Sequence, residues 1–76
     1  LILKIDVHTD NTTSDSFAMT LTKDRATMLQ DYFTKKGIDS SRLKITPFGD
    51  SKSIADNNTN EGKEKNNRAE VSFKFN

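Results

Sequence analysis

Two charged residues in this chain are of the types that recognise a small zwitterion. Asp10 follows His8-Thr9 at the head of a polar stretch, and Arg25 lies in a later segment with helical periodicity. A carboxylate receives an ammonium. A guanidinium donates two parallel hydrogen bonds to a carboxylate, which lysine cannot do. Together the pair matches both poles of a free amino-acid end, where ammonium and carboxylate share one carbon. The plainer alternative is a surface ion pair between the two, a contact usually contributing about 0–1 kcal/mol. The elements that position the residues bear on the choice.

The chain opens with Leu1, Leu3, Ile5 and Val7 alternating with Ile2, Lys4, Asp6 and His8, the pattern of a strand. Asp10 therefore leaves the strand at its carboxyl end. Thr9 to Ser16 contains no apolar residue and reads as a loop. A helix is predicted from about Thr22 to Lys36, with Thr20 or Thr22 as N-cap and Asp24 near the positive end of the dipole. Ala26, Leu29 and Phe33 form its apolar stripe, widened by Met28 and Tyr32. Lys35 and Lys36 suit its carbonyl end, Gly37 the left-handed position after it, and Ile38 the apolar contact of a Schellman motif. Arg25 falls in the first turns of such a helix, close to the loop carrying Asp10, where free backbone N–H groups would serve the same anion.

After Asp39-Ser40-Ser41 a second strand is predicted from about Arg42 to Phe48, with Leu43 and Ile45 buried and Pro47 limiting its ladder. Gly49 to Asn67 is polar, with Thr59 or Asn60 capping a short helix through about Lys65. Ala69 to Phe75 alternates as a strand with one wet face. The first two strands and the helix between them make a βαβ unit, so those strands should be parallel.

Composition narrows the function classes. Seventy-six residues allow one domain, and 32% hydrophobic against 30% charged residues is thin for an independent core. Twelve basic and eleven acidic side chains leave a net charge of +1, giving no field for nucleic acid or an anionic membrane. No stretch approaches the roughly 20 apolar residues of a membrane span. Without cysteine there is neither a disulfide nor a thiolate metal site. His8 is the only histidine and lacks acids at ligand spacing, so no metal role is expected; it is expected to border the sheet and steady the loop by hydrogen bonding. Asp50 and Asp56 read as solvated turn residues rather than a carboxylate pair, and Arg68 as a structural residue pairing with a nearby carboxylate.

Five blocks stand in order along the chain: His8-Thr9-Asp10; Leu21-Thr22 with Arg25-Ala26; Phe48-Gly49-Asp50; Ile54-Ala55-Asp56-Asn57; and Asn66-Asn67-Arg68-Ala69-Glu70-Val71. This set resembles the OmpA-like (OmpA/MotB C-terminal) domain, whose pattern reads roughly G-H-T-D, N-x-x-L-S-x-x-R-A, G-Y-G-E, P-x-x-x-N and N-R-R-V-E. Each block is unspecific alone; five in register over nearly the whole chain are specific.

The resemblance implies an α+β fold, β-α-β-α-β-β, with helices on a mixed sheet ordered 1-4-2-3 and the last strand antiparallel. Residues 1–76 would form one OmpA-like peptidoglycan-binding domain that is N-terminally incomplete, starting at family strand 2. The strand 69–75 would then keep a free edge, which invites a homodimer or a separate N-terminal fragment. The implied function is non-catalytic binding of bacterial peptidoglycan through the meso-diaminopimelate of its stem peptide. That binding would anchor a parent envelope protein at the periplasmic face, tethered to the outer membrane by parts outside this chain. Asp10 would take the ammonium of diaminopimelate and Arg25 its α-carboxylate, with Thr9 and Thr12 in support. No catalytic residue, cofactor, metal or nucleic acid is implied. The alternative is a degenerate module serving protein association without cell-wall binding.

The sequence departs from the family pattern at several positions. Val7 stands for Gly, Ala18 for the Asn seven residues before the Arg, and Pro47 and Phe48 for Gly and Tyr. Ser53 replaces Pro, and Asn67 replaces the first Arg of N-R-R. The anchor pair is kept while its supporting shell is thinner.

Overall fold

A computed structural model describes residues 1–75. Its elements are β1 (Ile2–His8), α1 (Asp15–Lys35), a 3-10 turn (Ser40–Arg42), β2 (Leu43–Gly49), α2 (Asn60–Asn66) and β3 (Arg68–Lys74). The three strands form one sheet in the order β2-β1-β3. β1 and β2 are parallel, as a βαβ unit requires, and β3 runs antiparallel to β1. This is the 3-2-4 portion of the order implied by the family resemblance, and the fold is α+β as expected.

Register decides which residues share a face. Leu3, Ile5 and Val7 lie opposite Leu43, Ile45 and Pro47 on one side, and opposite Phe73, Val71 and Ala69 on the other. α1 packs chiefly over β2 and less over β1. The core is accordingly small: Ile5, Val7, Ala26 and Leu43, with Leu3, Leu29, Phe33, Ile38 and Ile45 packed against it. Leu1, expected on the buried face, lies just before β1 and is exposed.

α1 begins at Asp15, not near Thr22. Ser14 is its N-cap, accepting from the Phe17 amide at 3.3 Å, with Asp15 in the first turn. The buried stripe runs Ala18, Thr22, Ala26 and on to Leu29 and Phe33, so the helical period reaches back two turns further than the apolar residues alone suggest. Thr22 hides it: fully buried, its hydroxyl donates to the Met19 carbonyl and accepts from the Gly49 amide, both at 3.0 Å. Thr20, the other expected cap, bonds back to the Ser16 carbonyl inside the helix. Met28 and Tyr32 do not widen the buried stripe; both are exposed, Met28 beside a hollow that Ala69 of β3 also lines.

The far end of α1 forms as its sequence indicates. Gly37 has φ +97°, its amide donates to the Thr34 carbonyl, and the Ile38 amide donates to the Phe33 carbonyl at 3.1 Å. Those are the two bonds of a Schellman motif, and Ile38 packs against the core. α2 is capped by Thr59, whose hydroxyl accepts from the Gly62 amide at 2.9 Å.

Candidate functional site

The carboxyl ends of β1 and β2 and the start of β3 meet around one backbone residue. Gly49 has φ +60°, and a Cβ there would lie 3.2 Å from the Met19 amide nitrogen, so only glycine fits without strain. Its N–H bonds to Thr22 of α1 and its carbonyl accepts from the Thr9 amide at 3.0 Å. The loop carrying Asp10 is thereby fastened to β2 and, through it, to the middle of α1.

Asp10 itself is held by neutral donors. The Thr12 amide donates to one carboxylate oxygen at 3.0 Å, and the side-chain N–H of Asn67 donates to the other at 2.9 Å. The Asn67 carbonyl oxygen accepts from the Thr9 hydroxyl at 2.6 Å and from the Asp10 amide at 3.0 Å. The bonds from Thr12, with smaller contributions from Asn67 and the charge of Lys63, hold the Asp10 carboxyl below its usual range. Of the two residues expected to support the ligand, Thr9 is buried with its hydroxyl on Asn67, and Thr12 donates its backbone N–H to Asp10.

Arg25 lies ten residues into α1, about 15 Å from its start at 1.5 Å per residue. The expectation that helix N-terminal amides join Arg25 on one anion is therefore overturned by the early start at Asp15. Arg25 instead lines an open, mostly apolar hollow of about 340 Å³ together with Val7, Met28, Leu29, Asn67 and Ala69. Asn67 is thus common to this hollow and to the Asp10 clamp. Among the described residues no ion pair joins Asp10 to Arg25, so the plain surface salt bridge weighed from the sequence is absent.

The remaining residues of the motif blocks hold the frame. Asn66 is fully buried, and its amide makes four bonds: it accepts from the amides of Ile54 and Ala55 and donates to the Ala55 carbonyl and to Asn57. Arg68 pairs with Glu70 at 2.6 Å, as expected, and also donates to the carbonyls of Asn66 and Lys52. His8 departs from expectation. It is buried and stacked on Phe48 with ring centroids 5.0 Å apart, and neither ring nitrogen has a hydrogen-bond partner among the described residues. Burial first, then the nearby Arg68, pushes its pKa down, favouring the neutral ring. Asp50 faces Asp15 rather than Asp56, and the hydrogen bond between the two pushes the Asp50 carboxyl up. No group of three or more His, Cys, Asp or Glu able to hold a metal occurs among the described residues.

Sequence reasoning missed Asn67, which reads as a lost arginine. Its role depends on register: Arg68 opposes His8, so the next pair outward sets Asn67 against Thr9. A polar residue just before the last strand is the only local signal, and it does not name a partner 58 residues away.

Comparison with known proteins agrees with this architecture. A model of the OmpA family matches residues 1–68. The chain is 34% identical to the sodium-type flagellar protein MotY of Vibrio parahaemolyticus over 72 residues, covering 95% of this chain and 25% of that protein. It is 34% identical to the peptidoglycan-binding protein ArfA of Mycobacterium tuberculosis over 67 residues, covering 88% of this chain and 21% of that protein. The crystal structure of the C-terminal domain of Helicobacter pylori MotB superposes with a TM-score of 0.85 at 25% identity, covering 99% of this chain and 58% of that one. The chain thus spans a quarter or less of the length of these two relatives. It belongs to the OmpA family.

Proposed function

We propose that this OmpA-family chain is a non-catalytic module that binds bacterial peptidoglycan through the free amino-acid end of meso-diaminopimelate. In this reading it anchors a parent envelope protein at the periplasmic face. The observation that carries the reading is an unmatched pair. Among the described residues Asp10 is fixed by neutral donors without a cationic partner in salt-bridge distance, while Arg25 lines the hollow reached by Asn67 without a carboxylate partner. The ammonium goes to Asp10, the carboxylate to Arg25, and the aliphatic stem lies over Met28, Val7 and Ala69. Each charge-assisted bond contributes about 1.5–3 kcal/mol. Co-sedimentation with purified peptidoglycan tests this. Asp10→Ala and Arg25→Ala should each release the protein, and walls carrying lysine in place of diaminopimelate should bind weakly because lysine lacks the distal carboxylate. Full retention of both variants rules the site out.

A second reading rests on β3. Val71, Phe73 and Phe75 are 59%, 67% and 82% exposed, although Val71 and Phe73 oppose the core residues Ile5 and Leu3. An apolar strand with a free edge accepts another strand, and a second copy of this chain is the occupant proposed. Sedimentation equilibrium at micromolar concentration should give the dimer mass. A monomer refutes self-pairing, and a gain in order on adding a separate N-terminal segment would assign the edge to that segment instead.

A further inference from the structure

We propose that Asn67 is a positioning residue: its side-chain amide sets the direction in which the Asp10 carboxylate is presented and so creates the site's demand for an ammonium. The inference rests on the peptidoglycan reading and adds to it the residue that confers ligand discrimination.

The amide cannot be turned round. Its oxygen receives two donors, the Thr9 hydroxyl at 2.6 Å and the Asp10 backbone N–H at 3.0 Å. Exchanging oxygen and nitrogen would set an NH2 group against both. The nitrogen therefore must face Asp10, where it meets one carboxylate oxygen at 2.9 Å while the Thr12 amide holds the other at 3.0 Å. A carboxylate has about four lone-pair sites, so each oxygen keeps capacity for a ligand N–H. Asp10 stands at the head of an exposed run, Asn11 to Ser16, and would otherwise rotate freely.

The clamp is also uncharged, which decides the specificity. A cationic clamp would answer the negative charge of Asp10, whereas an amide orients the charge and leaves it for the ligand. Charged groups on the neighbouring elements do not supply a counter-ion. Arg68 and Glu70 of β3 pair with each other, His8 of β1 is stacked on Phe48, and Lys63 of α2 acts on Asp10 without a salt bridge.

The test uses two stem tripeptides titrated calorimetrically into the full chain. One ends in meso-diaminopimelate; the other ends in 2-aminopimelate, which keeps the distal carboxylate and lacks the distal ammonium. Wild type should prefer the first by tenfold or more, and Asn67→Ala should reduce that ratio below threefold. A purely structural loss would weaken both ligands alike and leave the ratio intact. Thr9→Val, nearly isosteric, removes one of the two donors that fix the amide. It should lower the ratio severalfold, and it carries the test if Asn67→Ala does not fold. An unchanged ratio in whichever of these variants folds overturns the role of Asn67 while leaving Asp10 and Arg25 standing. Wild type that binds neither tripeptide brings down the site itself, and this inference with it.

Discussion

The two ends of the sheet are built on opposite plans. Where β1 and β2 finish, side-chain and backbone polar groups bond in series: Thr22 to Gly49, Gly49 to Thr9, Thr9 to Asn67, Asn67 to Asp10. Asn66 ties the neighbouring loop in the same manner. At the opposite end Leu1, Phe73 and Phe75 lie open, with apolar area and no directional bond from their side chains. Hydrogen bonds fix distances and angles, whereas apolar contact is indifferent to orientation. The polar end can therefore impose a geometry on what meets it, whereas the side chains of the apolar end impose little.

Perturbations of the polar end should cost most. Asn66→Ala strands four partners in a part-buried loop and should destabilise the chain by about 3 kcal/mol in urea unfolding, a large share of a small domain's stability. A loss below about 0.5 kcal/mol would break the contrast, since the network would then be ornamental. Gly49→Ala forces a side chain into φ +60° against the Met19 backbone and should cost about 2 kcal/mol by the same measurement.

Asp10→Ala should leave the melting temperature nearly unchanged while weakening peptidoglycan binding by tenfold or more, about 1.4 kcal/mol or above. That separation of stability from affinity is what a ligand-facing carboxylate predicts. His8 supplies a pH test. Its folded pKa lies below the ordinary 6.5, so the unfolded chain binds the extra proton; stability is full above about pH 6.5 and falls as the pH drops beneath it. His8→Phe, which keeps the stack on Phe48, should flatten that part of the stability–pH curve. The smallest effect is expected at the apolar end: Phe73→Lys should alter monomer stability by within about 0.5 kcal/mol and abolish self-association in sedimentation.

What could be read from the sequence follows the range of the forces involved. The C-terminal stop of α1 depends on neighbours in sequence, so Lys35, Gly37 and Ile38 announce it. The alternation of β3 is equally local. The start of α1 is obscured because a buried threonine, Thr22, takes a place in the stripe that apolar periodicity assigns to a hydrocarbon. Asp10 and Arg25 stand out by residue type and motif order, yet the residue common to the Asp10 clamp and the hollow beside Arg25 is Asn67, which takes that place only once β3 is in register with β1. His8 misleads for the opposite reason: a polar ring in a polar-looking motif is used here for its flat face.

Pro47 gives the sheet a direction of growth. β2 borders solvent as β3 does, but Pro47 has no N–H to offer, exposed Lys44 flanks it, and the register slips opposite the junction of Val7 and His8. Of the two edge strands among the described residues, β3 is the more receptive. Copies paired along β3, as proposed above, would leave β2 as the outer margin on both sides, and that margin is a poor template for a third.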